Sequence, residues 1–533
     1  MEEDHAGDFP HRDPDTESED PASSDSEQES VEQEGAGIDP AHLAEMEEME
    51  EEILDRLKRN HIDLDTFESR DDFLKRYMPL LEHTATSRPD QQNVDVYILH
   101  RIAKRRDLDV TKSAPLVRLL LREFPGLSKA TDEDGKTALH VALSSKNMHI
   151  AQAIVDALAA NDEIFSTRDE KGTHCVHLAL MMAHIPNALI LDLIRKAPKT
   201  AFRERDRQDL TPLHHAVHYS RCTTERLEII EELLRKDDSV LDILSSQRLS
   251  PYQYHLETAR QFTKERSAVG RQGLTTSLRS HIRFKHQFTE PSYDLTQIRD
   301  LEKGADKIRD TLKLWILRTR GEDEAKELLY GSEPKSKSPD TESYKMNESI
   351  QADSLGSLFQ DIHLSLRLHR DPQEEPTTIP DFREVYESST FDTVLSLVSL
   401  RDFRFQEGKQ DGTPGSRNDA EHIFAWLELE KGVRRIINVS VKDLTIPYHT
   451  EQSIHRALSG FLVERLDWQR PDICPAVVRS VGDAVENLIL YWGGNNAVLR
   501  GWSEPEGLPR LPKLKKIELI VLEVSRMIFC AVI

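Results

Sequence analysis

A four-residue block returns at a fixed interval, and this limits the fold more than any other property of the chain. Leu139-His140-Val141-Ala142 reappears as Val176-His177-Leu178-Ala179 and again as Leu213-His214-His215-Ala216, with the histidines 37 residues apart both times. Leu99-His100 lies 40 residues before His140, and a worn copy, Ser250-Pro251-Tyr252-Gln253, ends 39 residues after His214. A period in the thirties means stacked supersecondary units, because one such unit cannot bury its own apolar face.

Each good copy follows a polar turn: Asp134-Gly135-Lys136-Thr137, Glu170-Lys171-Gly172-Thr173 and Arg207-Gln208-Asp209-Leu210. A second helix follows each block. Ile150, Ala153, Ile154, Ala157 and Leu158 have the spacing of one helix face, as do Ile190, Leu191 and Ile194, then Leu227, Ile230, Leu233 and Leu234. Threonine at a helix start caps free amides, and proline at the first helical position loses no hydrogen bond. Glycine tolerates the positive φ of the turn. Gly135-Lys136-Thr137-Ala138-Leu139-His140-Val141-Ala142 and Thr211-Pro212-Leu213-His214-His215-Ala216 resemble the ankyrin-repeat signature; the middle copy departs from it, with His174 in the usual place of Thr. The resemblance covers about residues 93–260 and implies an α-helical ankyrin solenoid that binds a protein partner. The turn residues expected to make contact are Asp132, Glu133, Arg168, Asp169, Glu170, Lys171, Arg205, Asp206 and Arg207. Their mixed charge suits a polar, specific interface.

Outside the repeats, charge divides the chain. The net charge of −25 is concentrated at the start: residues 1–54 hold 21 acids and one base, Arg12, leaving −5 for the rest. Residues 1–40 are therefore read as a disordered acidic tail, too poor in apolar groups to offset their ordering entropy. Its serines, Ser18, Ser23, Ser24, Ser26 and Ser30, sit among carboxylates, the setting that an acid-directed kinase reads. Residues 41–92 read as a helical lead-in, 261–330 as a helical basic segment and 331–380 as a linker. Between 256 and 288, seven bases face two acids, so a loose, salt-sensitive contact between the tail and 260–285 is expected. From 381 to 523 strands alternate with short helices, which implies parallel pairing in a C-terminal α/β domain. Strand candidates are 436–441, 463–468, 485–492 and 514–522, and their spacing near 25 residues suggests a leucine-rich-repeat-like curl. Trp492, Asn495, Asn496 and Trp502 make a second candidate contact cluster, with a packed core edge as the competing reading.

Glu464 to Trp468, Tyr491 to Arg500, Trp502 to Leu508 and Arg309 to Gly331 resemble a region of large proteins of filamentous fungi. In those relatives the region lies between an often ankyrin-like N-terminal part and a subtilisin-like peptidase domain. The Asp, His and Ser motifs of that chemistry are missing here; Gly172-Thr173-His174 comes nearest, with Lys171 where the essential His would stand. Two functions follow. One is an interaction scaffold with no catalytic site, no cofactor and no metal. The other is the regulatory front end of a peptidase whose catalytic domain lies outside this sequence. Gly135-Lys136-Thr137 lacks the earlier Gly of a phosphate loop, Ala130 standing there. His214, His218 and Cys222 have helical spacing, yet His214 belongs to the repeat signature. Four separated cysteines, no basic N-terminal leader and no clean apolar span point to the cytoplasm or nucleus, with neither membrane nor nucleic acid as partner. Residues 524–533 continue apolar with no turn; they are read as an atypical tail of artefactual origin, with the native protein continuing beyond.

Overall fold

The computed structural model describes residues 40–64, 66–86, 98–271, 295–331, 361–367, 378–401, 405, 417–444, 446–522 and 527–532. The tail at 1–39, its serines, and most of the stretch expected to contact it lie outside the described residues. Among those described, 19 α-helices and seven strands make a mixed α/β molecule.

The lead-in forms two helices, Pro40–Lys58 and Phe67–Thr86. Short inner helices then begin at each copy of the block: Ile98–Lys104, Ala138–Ser144, Cys175–Met181 and Pro212–Ala216, with Pro251–Arg271 starting at the worn copy. Longer outer helices alternate with them: Val110–Glu123, Met148–Ala157, Asn187–Lys196 and Arg226–Lys236. The periodic apolar residues, from Ile150 and Ile154 to Leu233 and Leu234, are buried in one continuous core except Leu227, which is partly buried against it, and Ala157, which is exposed.

The fifth outer position is taken by a long helix, Leu295–Thr319, which turns at Gly321 into Glu322–Tyr330. Gly304 sits where this helix meets the array. A Cβ there would lie 2.0 Å from Cys222 O, so no other residue fits without backbone movement. His255 Nε2 reaches Ala305 O at 3.2 Å, and Thr224 Oγ1 donates to Asp300 Oδ1 at 2.8 Å.

The same hairpin also holds the sheet. Lys313 Nζ lies 2.6 Å from the buried Asp392, which also accepts from the Tyr330 hydroxyl at 2.5 Å. Arg318 grips Glu464 with two bonds of 2.8 and 2.9 Å. Ser396 Oγ donates to Leu317 O. The segment expected to be merely basic and helical is thus a clamp between array and sheet.

Six strands run parallel in chain order: β1 (His363–Arg367), β2 (Val394–Arg401), β3 (Arg435–Val441), β4 (Leu462–Pro471), β5 (Asn487–Trp492) and β6 (Lys516–Leu522). β7 (Met527–Val532) pairs antiparallel with β6. β1 falls inside the span read as a linker, and residues 527–532 of the supposed tail are a strand of the sheet. The four strand candidates all form, with starts shifted by one or two residues and one end, that of β4, by three. Buried residues recur along the strands at n, n+3 and n+5: Leu395, Val398 and Leu400; Ile436, Val439 and Val441; Val463, Leu466 and Trp468; Val485, Leu488 and Leu490. Strict alternation would predict otherwise. The extra residue in each strand lets Ile437 join the array's core while Ile436 joins the sheet's own. Every connecting helix contributes to that second core, through residues such as Phe382, Phe424, Ile454, Val478 and Trp502.

Candidate protein-interaction site

The repeated histidines build a ladder. His100 Nε2 meets Lys136 O at 2.8 Å, His140 meets Thr173 O at 3.2 Å, His177 meets Leu210 O at 3.2 Å and His214 meets Leu249 O at 3.3 Å. Each rung joins one inner helix to the turn of the next unit. On the other ring nitrogen, Thr137 and Thr211 donate to Nδ1 of His140 and His214 from their amides, at 3.3 Å, and their hydroxyls lie 2.9 and 2.8 Å away. Nδ1 must then be an acceptor, so Nε2 carries the proton and donates to the carbonyl. Burial holds His140 and His214 down at about 4 and His177 at about 3.

The departures from the signature have local explanations. His174, in the threonine position, caps its helix by accepting from Val176 N at 3.2 Å. It has no hydroxyl to offer, and the buried Nδ1 of His177 is left without a hydrogen bond. In the worn copy Gln253 takes the place of histidine: it accepts from Ser250 N at 3.0 Å and donates to Glu327 O at 2.9 Å. The ladder thus ends on the clamp hairpin. His214 and Cys222 have structural partners instead of a shared ligand: Cys222 Sγ donates to Val217 O and His218 O. Among the described residues no group of three His, Cys, Asp or Glu side chains is placed to hold a metal ion.

The ladder fixes four turns whose tips project from the array. Three residues expected to touch a partner build the turns instead. Asp132 Oδ1 accepts from the amides of Asp134 and Lys136 (3.1 and 2.8 Å). Asp169 Oδ1 does so from Lys171 and Thr173 (2.9 and 2.8 Å), and Asp206 Oδ1 from Gln208 and Leu210 (2.9 and 3.0 Å). Ser245 stands in the same place in the fourth turn. Gly135, Gly172, Asp209 and Arg248, three residues on, all have positive φ, so each backbone closes the same way. Asp206 is also buried against His215 Nε2 at 2.7 Å. Its burial favours the neutral acid, but the histidine bond and charge outweigh this and hold it below the usual carboxylate range.

Two arginines are spent laterally: Arg168 on Glu204 at 2.8 Å and Arg205 on Asp209 at 2.9 Å. Glu133, Glu170, Lys171 and Arg207 are exposed and form no ion pair among the described residues. The residue after each ladder position is Arg101, Val141, Leu178, His215 or Tyr254. Four of these, all but His215, are only partly buried. Sequence spacing alone marks this column, since each member follows a signature residue.

The second candidate cluster does not come together as a site. Trp502 is buried and its Nε1 donates to Ile473 O at 2.8 Å, so it is core. Asn495 caps the helix Asn496–Ser503, and Trp492 Nε1 donates to Asn495 O. Only Asn495 and Asn496 are fully exposed. The sheet holds a denser polar network that the sequence did not advertise. Asp443, wholly buried, accepts from the His449 amide and from Trp468 Nε1, each at 3.1 Å, and faces Arg417 at 3.4 Å. His449 Nε2 accepts from Ala420 N at 3.3 Å. With its members buried, this network ties helices to strand ends.

No protein-family model matches this chain, and no curated protein matches it. Its own geometry therefore has to speak for the site: fixed turns, exposed charged tips and a partly exposed column beside them. No helix among the described residues is long and apolar enough to cross a membrane.

Proposed function

We propose that this chain is an interaction protein in which an ankyrin-type array presents its turn tips and inner helices to a protein partner. The supporting observation is the set of exposed tips held on a buried ladder. A surface whose backbone is fixed before binding loses little entropy on association. Charge runs along the tips from acidic Glu133 through Glu170 and Lys171 to basic Arg207. A partner would match it with bases toward the first turn and acids toward the third. The parallel sheet, with the curl of a leucine-rich-repeat-like domain, is a second arm held at a fixed angle by the clamp.

The test compares wild type with the triple variant Glu133→Lys, Lys171→Glu, Arg207→Glu in quantitative affinity capture. A partner retained by wild type and lost by the variant, with equal thermal midpoints, supports the reading. Identical capture profiles for the two proteins overturn it.

A further inference from the structure

Away from the turn tips, a cleft of about 430 Å³ opens between the lead-in and the outer helices Val110–Glu123 and Met148–Ala157. Its apolar lining comes from Leu64, Pro115, Leu119 and Ala157. Three guanidinium groups share it with one acid. Arg70 Nε donates to Leu64 O at 2.5 Å, Arg118 lies 2.9 Å from the half-exposed Asp156, and among the described residues Arg122 pairs only with its sequence neighbour Glu123. The cleft is therefore apolar and cationic at once. Such a surface fits an aromatic side chain flanked by carboxylates, the ring on the leucines and the acids on the arginines.

Several stretches outside the described residues carry an aromatic side chain beside acids, among them Glu290–Asp294 and Asp340–Tyr344, and the most acidic of them is at the start of the chain. Residues 1–39 hold 15 acids and one base, net −14, and their sole aromatic residue is Phe9, set in Gly7-Asp8-Phe9-Pro10. Reach also agrees. Phe9 precedes Pro40 by 31 residues, and an unstructured chain of that length spans about 31 Å. The helix Pro40–Lys58 is about 27 Å long and ends six residues before Leu64, at the cleft. A tether whose span matches the distance to its site gives an effective concentration on the order of millimolar, so even a weak contact is populated.

We propose that Asp8-Phe9 of this chain's own N-terminal segment docks in the arginine-rimmed cleft. The phenyl ring rests on Leu64 and Leu119, and the neighbouring carboxylates face Arg70, Arg118 and Arg122. This places the tail on the first outer helices, not on the basic stretch at 260–285.

The experiment uses the full-length chain with a benzophenone amino acid in place of Phe9, mixed with an equal amount of isotopically heavy chain, irradiated and mapped by mass spectrometry. The expected product is a light–light cross-link to residues 64–70, 115–122 or 156–157. In the Arg118→Glu, Arg122→Glu variant its yield falls about tenfold, while the thermal midpoint stays within the error of wild type. Cross-links confined to 260–285, scattered over the surface or absent overturn the proposal. Light–heavy products in place of light–light ones overturn it in favour of a second copy as occupant. An undiminished yield in the charge-reversed variant also overturns it.

Discussion

The array and the sheet both stack a short unit, but they join their units in different ways. Between sheet neighbours the join is a run of backbone hydrogen bonds, as between β3 and β4, where partners run from Arg435–Leu462 to Val441–Trp468. Between array neighbours the polar join is made mostly by side chains: one imidazole reaching one carbonyl, with others such as Lys196 on the Val155 and Leu158 carbonyls and Arg226 on Leu180 O, added to apolar packing. A backbone ladder does not depend on side-chain identity or protonation. An imidazole rung depends on both. The array should therefore be the region that sequence changes and acid undo first.

Acid gives the largest expected effect. His140, His177 and His214 stay neutral in the fold to about 4 or below, whereas an unfolded chain protonates them near their usual value of 6.5. Their contribution to stability is intact above about pH 7 and is lost as pH falls through about 6.5 toward 4, at about 1.4 kcal/mol per histidine per pH unit. Glu50, pushed up to about 7 by burial, acts in the opposite direction as pH rises from 4.5 to 7, but it is a single group. Circular dichroism melts between pH 7 and 4.5 should show helical signal lost well before strand signal. Loss of both together would break the contrast.

Leu213→Ala removes a side chain that is 1% exposed at the third block. Truncation at such a site costs about 2–5 kcal/mol, and in a stack the loss spreads to neighbouring units. Calorimetry should show a lower midpoint; an unmoved midpoint would remove the stacked-repeat reading.

Gly304→Ala tests whether the regions melt as one. The new Cβ would meet Cys222 O and Thr223, so the clamp must shift, at about 2–3 kcal/mol. One calorimetric transition in wild type should become two. A single transition in the variant would mean that array and sheet do not depend on the clamp.

The smallest effect is expected at the tips. Glu170→Lys and Arg207→Glu alter exposed side chains that form no ion pair among the described residues, so each should move stability by less than about 0.5 kcal/mol. Asp169→Ala, one residue from Glu170, should cost about 1–2 kcal/mol, because it frees two turn amides. Equal effects from Glu170 and Asp169 variants would erase the distinction between tip and turn builder.

That distinction shows where sequence reading stopped. Asp132, Asp169 and Asp206 share a register with one another just as the blocks do, but their charge suggested contact, and only the bonds to amides at i+2 and i+4 show them turned inward. Trp502 carried two readings, a contact residue or a packed core edge, and its ring completes the sheet core. β1 escaped notice because it is a short strand inside a stretch whose composition reads as a linker, and β2 because its buried residues, Leu395, Ser396, Val398, Ser399 and Leu400, do not alternate.

What the sequence determined by itself was whatever repeats or lies within one unit: the period, the capped inner helices, the turns and four of the seven strands. Those depend on propensities and bonds that span few residues, and so they are written locally. Tertiary structure alone decided that Gln253 would find Glu327 O 74 residues away, that Asp392 would hold Lys313 and Tyr330, and that Gly304 would be pressed against Cys222. Each of these joins distant segments through a single buried polar group or a missing Cβ. Its chemistry has no local signature, because the partner that gives it meaning arrives only when array, clamp and sheet are packed together.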